Sequence, residues 1–429
     1  MNKIIFREIL MAVKSWQVIS SIVLITSITV LMQIPSETWI TSATVSLIMG
    51  ASALACMASS CILASRWHGV ERIFGGLDRV YEAHKWIAIW ALVFAVYHFL
   101  FKAKLDSWEL APILELSKYW TRMVRQLSLV ALGLIILLAL NRKIPYGNWR
   151  WLHKFSGPLF LIVILHWLSF ESPITLTSPA GIWLALLCSV GVIAALYKMV
   201  FYPFIAKAGE YKLVAISHGK AAVHLEFEPV DKRFPFKAGQ FAFISLKEAG
   251  LREPHPFTIA NAPSDNGRIH FVIRALGDYT KKLNEQAKVG MLADIYAPHG
   301  NFKRISNAER EIWIGAGVGI SPFISWQEDK TIGHFERATL IYCFDPARVF
   351  PSVERMQEMT EQSGVDFVAN PSGSNAMAET IRQVASEVNP KQIQISFCGP
   401  KGLLGKVQEL MKENGIPAKN IHYEFFDFR

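Results

Sequence analysis

HKWIAIWALVFAVYH, residues 84–98, is an apolar run closed at each end by a histidine. The two imidazoles are 14 residues apart. In an α-helix that interval rises about 21 Å, and 14 steps of about 100° bring the second ring back to nearly the face of the first. The stretch reads as one membrane-spanning helix with a metal-competent side chain at each end. An imidazole in hydrocarbon is costly unless it pairs, binds a metal or faces a polar cavity, so both rings are functional candidates.

Working outward, the run extends to His84–Phe101 and is joined by five others: Trp16–Ile34, Trp39–Leu63, Met123–Leu140, Leu152–Phe170 and Gly181–Phe201. Runs of about 18 to 25 residues cover a hydrocarbon core about 30 Å thick, so six spanning helices are expected. Composition points the same way. Of 429 residues, 52% are hydrophobic and 18% charged, where a soluble enzyme carries about 25% charge. Disorder, collagen-like repetition and a disulfide scaffold are excluded. Cys56, Cys61, Cys188, Cys343 and Cys398 form no CxxC pair, which argues against structural zinc or an iron–sulfur cluster. The N-terminal MNKIIFREILMAVKSW lacks a small-residue cleavage site and reads as leading into an uncleaved first helix.

A second pair of histidines, His153 and His166, lies in the fifth run, 13 residues apart. An ideal helix would turn the second about 140° from the first. Gly157 and Pro158 lie between them and can kink the helix back to a common face. If the third and fifth runs are neighbours, His84 meets His153 near the inner surface and His98 meets His166 near the outer one. Two imidazole pairs at two depths suit two six-coordinate haems. For any one histidine alone, a hydrogen-bonded core or interfacial residue is the better reading; four at matched depths favour the metal. His68 reads as a solvated loop residue. Arg122 and Arg125 are candidates to neutralise haem propionates, or are snorkelling anchors.

Basic residues near helix ends stay on the cytoplasmic side. Residues 65–83 hold Arg66, Arg72 and Arg79, and residues 141–154 hold Arg142, Lys143, Arg150 and Lys154. Residues 35–38 and 171–179 hold no Lys or Arg, and in 102–121 Lys102, Lys104 and Lys118 are offset by Asp106, Glu109 and Glu115. The N-terminus and everything after Tyr202 are therefore expected in the cytoplasm. Topology accounts for the net charge of +9, which leaves no nucleic-acid role.

Beyond Ile205 the chain reads as soluble. YKLVAIS, AVHLEFEP, QFAFISL and RIHFVIRAL alternate like strands of an antiparallel barrel up to about Arg304. EIWIGAGVGISPFISW, residues 311–326, is a buried strand, a glycine turn and a helix start; ATLIYCF, VDFVAN and QIQISFCG follow as buried strands between helical stretches. That alternation implies a parallel sheet of nucleotide-binding type. The expected domains are residues 1–204, 205–305 and 306–429.

HPFTIAN (255–261), IRALGDYTKKL (273–283), APHGNF (297–302), IGAGVGISPF (314–323), FCGP (397–400) and HYEFFDFR (422–429) occur in the order of ferredoxin-reductase-type flavoproteins. Together with the histidine pairs, the chain resembles the NADPH oxidase and ferric reductase superfamily in its bacterial single-chain form, over nearly its whole length. HPFT joined to two membrane histidine pairs is highly specific; GAGVG alone is weak. The resemblance implies a multidomain membrane protein: a six-helix all-α transmembrane haem bundle, a β-barrel FAD domain and an α/β parallel-sheet nucleotide-binding domain.

It also assigns residues. His255, Pro256, Phe257 and Thr258 hold the isoalloxazine of FAD; Pro256 fixes an extended backbone, Phe257 offers an aromatic face and Thr258 a hydroxyl. Arg274 supplies charge for the pyrophosphate, with Gly277 and Thr280 at a helix start; an ordinary strand, turn and helix is the alternative. Gly315, Gly317 and Gly319 allow close backbone approach and Pro322 opens the next helix, a GxGxxP form that signals nicotinamide nucleotide. Cys398 resembles the family cysteine beside the reacting rings, with Gly399 and Pro400 shaping its loop, though a plain buried thiol fits the same pattern. One of Phe425, Phe426 and Phe428 covers the flavin, the family ending favouring Phe426; packing of a terminal strand is the alternative. Arg348, with Lys401 second, is placed for a 2′-phosphate, which favours NADPH over NADH.

A nicotinamide gives two electrons as hydride whereas a haem iron takes one, so a flavin must convert between them. The implied route runs from NADPH (or NADH) through FAD to an inner haem b (His84, His153) and an outer haem b (His98, His166), across a bacterial inner membrane. Short outer loops without an evident metal cluster favour dioxygen as acceptor, giving superoxide. A ferric chelate is the alternative, and a module that feeds a protein partner is a third reading; the sequence specifies no such partner.

Overall fold

The computed structural model describes residues 13–141, 143–144, 146–305 and 307–424. The chain separates after Ile205 into two compact units. In the first, five helices are long and apolar enough to cross a membrane: Ser42–Ala64, Leu77–Leu100, Lys118–Leu138, Gly147–Ser169 and Pro179–Ile205. Ser15–Leu31 is apolar but only 17 residues long. The six expected runs are thus five full-length spans and one shorter helix among the described residues.

Ser42–Ala64 is the most enclosed of these helices, with Ser46, Ser52, Ala55, Cys56 and Ala58 all buried. Its small side chains let neighbouring backbones approach, as helix association in lipid requires. At Gly191 a methyl group would lie 3.1 Å from Ala58. Leu127, Val130, Leu134 and Leu137, by contrast, are exposed. A row of bare aliphatic side chains on one helix is a lipid-facing surface.

The fifth run is two helices, Tyr146–His153 and Ser156–Ser169. The break falls at Lys154 and Phe155, just ahead of Gly157 and Pro158 rather than at them. Proline has no N–H to donate and its ring clashes with the carbonyl four residues earlier, here that of Lys154. Pro158 itself sits in the first turn of the second helix, where a missing donor costs nothing.

The second unit holds two sheets. Strands β1 (Gly209–His218), β2 (Ala222–Pro229), β3 (Phe241–Leu246), β4 (His255–Thr258), β5 (Ile269–Arg274) and β6 (Leu292–His299) pair antiparallel in the order β4-β3-β6-β1-β2-β5. A bridge from Ile259 to Phe271 joins the two edges, so the sheet is barrel-like. Alternate residues such as Tyr211, Leu213, Val223, Leu225 and Phe227 fill its core, as the period-two reading requires.

Strands β7 (Arg310–Ala316), β8 (Ala338–Phe344), β9 (Asp366–Pro371), β10 (Ile393–Cys398) and β11 (Ile421–Glu424) form a parallel sheet in the order β11-β10-β7-β8-β9. Every residue of β10 is buried, as in a sheet covered on both faces. The strand order reverses at β7, so a ligand crevice is expected outside its carboxyl end. Arg304, before β7, forms a two-pronged pair with Glu311 at 2.8 and 2.9 Å; both side chains are 3% exposed. Trp313 Nε1 donates to the same carboxylate at 3.0 Å.

Candidate functional site

In the membrane unit, the ring centres of His84 and His153 are 6.0 Å apart at 82°, and those of His98 and His166 are 6.4 Å apart at 68°. Leu77–Leu100 supplies one ring to each pair; the two pieces of the broken fifth run supply the others. The break sets both rings of that run toward the same neighbour, which an uninterrupted helix would not do.

Ser42–Ala64 holds one ring of each pair in place. His84 Nδ1 donates to the Ser60 carbonyl at 3.0 Å and His98 Nδ1 to the Ser46 carbonyl at 2.9 Å. Those bonds fix the proton on Nδ1 and leave Nε2 of each ring as a metal ligand. Gly50 makes room for the outer ring: a methyl group there would sit 2.6 Å from His98 Nδ1. On the opposing rings, Nδ1 of His153 and of His166 is buried with no hydrogen-bond partner among the described residues. Trp149 stacks on His153 at 5.3 Å and 14°.

These residues suit a metal. A metal–imidazole bond of about 2 Å, plus about 1.2 Å from nitrogen to ring centre on each side, places two ring centres about 6.4 Å apart. Both observed separations agree. A buried nitrogen without a partner is the mark of a site that has one to gain.

In the second unit, His255, Pro256, Phe257 and Thr258 form β4, paired with β3 from Ile244 to Phe241. The His255 ring stacks on Tyr279 with centres 3.8 Å apart. Phe257 packs against the barrel core. Arg274 ends β5, and Gly277 caps the helix Asp278–Gln286. Thr280 Oγ1 accepts from the backbone N–H of Leu276 and Gly277 at 2.9 and 3.0 Å, so its hydroxyl serves that cap.

A cavity of about 380 Å³ opens at the carboxyl ends of β7, β8 and β9. Arg274, Gly317, Arg348, Asn370, Pro400 and Lys406 are among its lining residues. Four of the sequence-derived candidates therefore share one cavity, at the crevice set by the strand order. Gly317, at φ +55° with open space where a side chain would be, is the turn glycine that lines it. Gly319 backs against the Cys398 carbonyl and Gly399 against Ala316, so these two glycines pack the loops onto each other. Gly315 is the next-to-last residue of β7, beside Ile320, and Pro322 lies in the first turn of Ser321–Glu328. Cys398 is fully buried and does not line the cavity; burial, then the nearby Glu424, pushes its thiol well above the usual range. Arg348 lies 3.6 Å from Asp345 at the cavity rim. Phe425, Phe426 and Phe428 fall outside the described residues.

Comparison with known proteins follows the same division. The ferric reductase like transmembrane component matches residues 49–164, and an FAD-binding domain matches residues 207–308. Dual oxidase 2 of Sus scrofa is 26% identical over 294 residues, 59% of this chain and 18% of its own length. A superoxide-generating NADPH oxidase heavy chain of Dictyostelium discoideum is 30% identical over 134 residues, 26% of this chain and 19% of its own. The chain is thus similar to ferric reductases in its membrane part and to NADPH oxidases over a wider stretch. It spans about a fifth of the length of those two oxidases. Flavohemoglobin from Malassezia yamatoensis, determined with bound FAD and heme, is 16% identical over 90% of this chain and 98% of its own, with a TM-score of 0.50. That likeness is one of fold alone.

The chain is a multi-pass membrane protein with an FAD-binding domain. Several residues of the site were not singled out by sequence reasoning. Ser46 and Ser60 are 14 residues apart, the interval of His84 and His98, and that matched spacing was the available signal. Tyr279 sat within a quoted motif without marking its stack on His255. Asn370 and Lys406 come to the cavity from distant segments, and no local pattern announces them.

Proposed function

We propose that the chain is a transmembrane NAD(P)H-dependent oxidoreductase that passes electrons by way of FAD and two b-type haems to an extracytoplasmic acceptor, dioxygen giving superoxide. The observation that carries this reading is the pair of imidazole couples, each at a separation that suits one metal ion. His84 with His153 holds the inner haem and His98 with His166 the outer. The proposed arrangement has six spans in residues 1–204, an FAD barrel in 205–305 and a nicotinamide domain in 306–429. The N-terminus and both soluble domains are cytoplasmic, at a bacterial inner membrane.

When bound, the flavin converts a two-electron hydride donor into a one-electron source and the haems carry single electrons across the lipid. The chain's own residues position and insulate. Backbone carbonyls of Ser46 and Ser60 hold His98 and His84. His255, Pro256, Phe257 and Thr258 line up along β4 for the flavin, and Arg274, Gly277 and Thr280 border its pyrophosphate. Gly315, Gly317, Gly319 and Pro322 receive the nicotinamide nucleotide, with Arg348 at its 2′-phosphate. Cys398, Gly399 and Pro400 lie at the carboxyl end of β10, toward the reacting rings, and Phe426 covers the flavin until nicotinamide enters.

Dioxygen is supported by the likeness to a superoxide-generating oxidase; a ferric chelate is the second reading, supported by the ferric reductase like component. NAD(P)H consumption, superoxide formation and ferric-chelate reduction, measured side by side with and without oxygen, decide between them. Superoxide in step with NAD(P)H consumption supports the first. Chelate reduction that persists without oxygen, with no superoxide when oxygen is present, supports the second. Reoxidation only by an added protein assigns the chain to electron delivery.

A further inference from the structure

The helix Ser321–Glu328 joins the nucleotide cavity to the barrel. Its first turn, with Pro322, follows directly on the glycine turn whose Gly317 lines that cavity. Its last turn is fastened to the segment beyond β4. Ser325 Oγ donates to the Asn261 carbonyl at 2.7 Å, with Ser325 fully buried and Asn261 4% exposed. Glu328 Oε2 accepts from the backbone N–H of Ala262 at 3.2 Å. Between them Trp326 stacks on Phe302, ring centres 5.0 Å apart at 16°. Gly239, at φ +92°, leaves room for the indole: a methyl group there would lie 2.7 Å from Trp326 Nε1.

The receiving segment is itself pinned. Asn261 stands three residues beyond Thr258, the end of β4. Its Oδ1 accepts from the His270 N–H at 2.7 Å, and its Nδ2 donates to the carbonyls of Arg268 and Ala262 at 3.0 and 2.9 Å. The Ala260 N–H donates to the His270 carbonyl at 2.8 Å. A buried carboxamide engaged through both its oxygen and its nitrogen has no second orientation that leaves every polar atom paired.

The path from the flavin strand to the nucleotide turn is therefore short. It runs from Thr258 to Asn261, across one hydrogen bond to Ser325, and back three residues to Pro322. Cohesion alone does not call for a hydroxyl at its centre. Phe323, Ile324 and Trp326 are buried beside Ser325, and an apolar residue there would hold the helix to the barrel without the cost of desolvating a polar group. A hydrogen bond adds direction. Direction matters where a C–H bond of a dihydronicotinamide breaks with both its electrons as an N–H bond forms on the flavin. The reacting atoms must lie about 3–3.5 Å apart, and a misplacement of about 1 Å costs up to about a hundred-fold in rate.

We propose that Ser325 and Glu328 are positioning residues that set the nicotinamide turn in register with the flavin strand, through Asn261 and Ala262. This assignment rests on the nicotinamide-to-flavin reading above.

The full-length chain, loaded with FAD and haem, is compared as native, Ser325→Ala, Glu328→Ala and Glu328→Gln. The readings, taken without oxygen, are the limiting rate of flavin reduction by NAD(P)H, the long-wavelength charge-transfer absorbance on adding a tetrahydronicotinamide analogue that binds but yields no hydride, and the thermal midpoint of the reductase unit. Ser325→Ala and Glu328→Ala are each expected to lower the limiting rate about ten-fold and to weaken the charge-transfer band, with the half-saturating nucleotide concentration little changed. Glu328→Gln, which keeps an acceptor oxygen for the Ala262 N–H, restores both. A native rate and band in the alanine variants, whatever their thermal midpoints, overturn the assignment and leave the bonds a role in stability alone. A raised half-saturating concentration at a native limiting rate overturns it too, and assigns the bonds to nucleotide affinity. Should Ser325→Ala fail to fold, the two Glu328 variants decide by the same criteria. A native chain whose flavin is not reduced by NAD(P)H and shows no band overturns the nicotinamide-to-flavin reading itself, a result distinct from the others.

Discussion

His84 Nδ1 donates to the backbone carbonyl of Ser60 at 3.0 Å, and 14 residues along each helix the same bond joins His98 to Ser46 at 2.9 Å. The two helices run antiparallel, so an equal interval on each brings both histidines to a carbonyl of the same neighbour. Each ring is oriented by backbone rather than by a replaceable side chain. The serine hydroxyls, 3.2 and 3.3 Å from the same nitrogens, are secondary. Ser60→Ala should therefore leave the absorbance of both haems in place, as read from the reduced-minus-oxidised spectrum, whereas His84→Leu should remove one haem per chain.

Gly50 provides the sharper steric test. A methyl group there overlaps the His98 ring, so Gly50→Ala should turn the outer ring out of line while His84 and His153 keep their places. Haem content per chain and low-spin resonance signals should show one site altered and one native. Two native sites would mean that the ring has room the geometry denies it.

The Arg304–Glu311 pair makes a prediction about stability. Both side chains are 3% exposed, so Glu311→Ala strands a buried guanidinium at a cost of about 3–5 kcal/mol. Urea unfolding of the full chain, followed by fluorescence of the reductase tryptophans, should show a large drop in the midpoint of that transition. A drop of under about 1 kcal/mol, the worth of a surface pair, would contradict the burial.

Arg348 tests cofactor choice. Hydrogen bonds to charged groups are worth about 1.5–3 kcal/mol, so Arg348→Ala should raise the KM for NADPH by about ten-fold or more and leave that for NADH nearly unchanged. Equal turnover on both nucleotides with no effect of the substitution would remove the 2′-phosphate assignment.

His224 and His270 meet edge to face at 5.3 Å on adjacent barrel strands. Burial, then the neighbouring His270 and Arg355, lowers His224 from the ordinary 6.5 to about 4, with Glu226 opposing. Burial lowers His270 as well, with Glu226 opposing and Arg268 and Arg355 adding to it. Between about pH 6.5 and 4 the unfolded chain takes up protons that the folded one refuses, so stability present above pH 6.5 is lost as the pH falls. Thermal unfolding of the reductase unit should fall less steeply with pH over that window in His224→Gln than in the native chain. Identical slopes would place the sensitivity elsewhere.

Much of the fold was legible because lipid and a packed sheet each impose a simple period. Apolar runs of sufficient length marked the spans, alternation marked the barrel strands, and continuous apolar stretches such as LIYCF marked the parallel sheet. The shorter Ser15–Leu31 and the break at Lys154 were less legible. Hydropathy averages over a window and does not register a two-residue interruption, even though Pro158 signalled a disturbance nearby. At the sites, His84, His98, His153 and His166 stood out because an imidazole in an apolar run is rare. The roles of Thr280 and Phe257 were harder to read, since a cap and a core contact leave the same residue types as a cofactor contact.

Haem stoichiometry tests the central claim most directly. Purified full-length protein supplied with haem should hold two b-type haems per chain by pyridine haemochromogen assay, and His98→Leu should hold one. A chain that remains colourless, or a His98→Leu variant that keeps both haems, would contradict it.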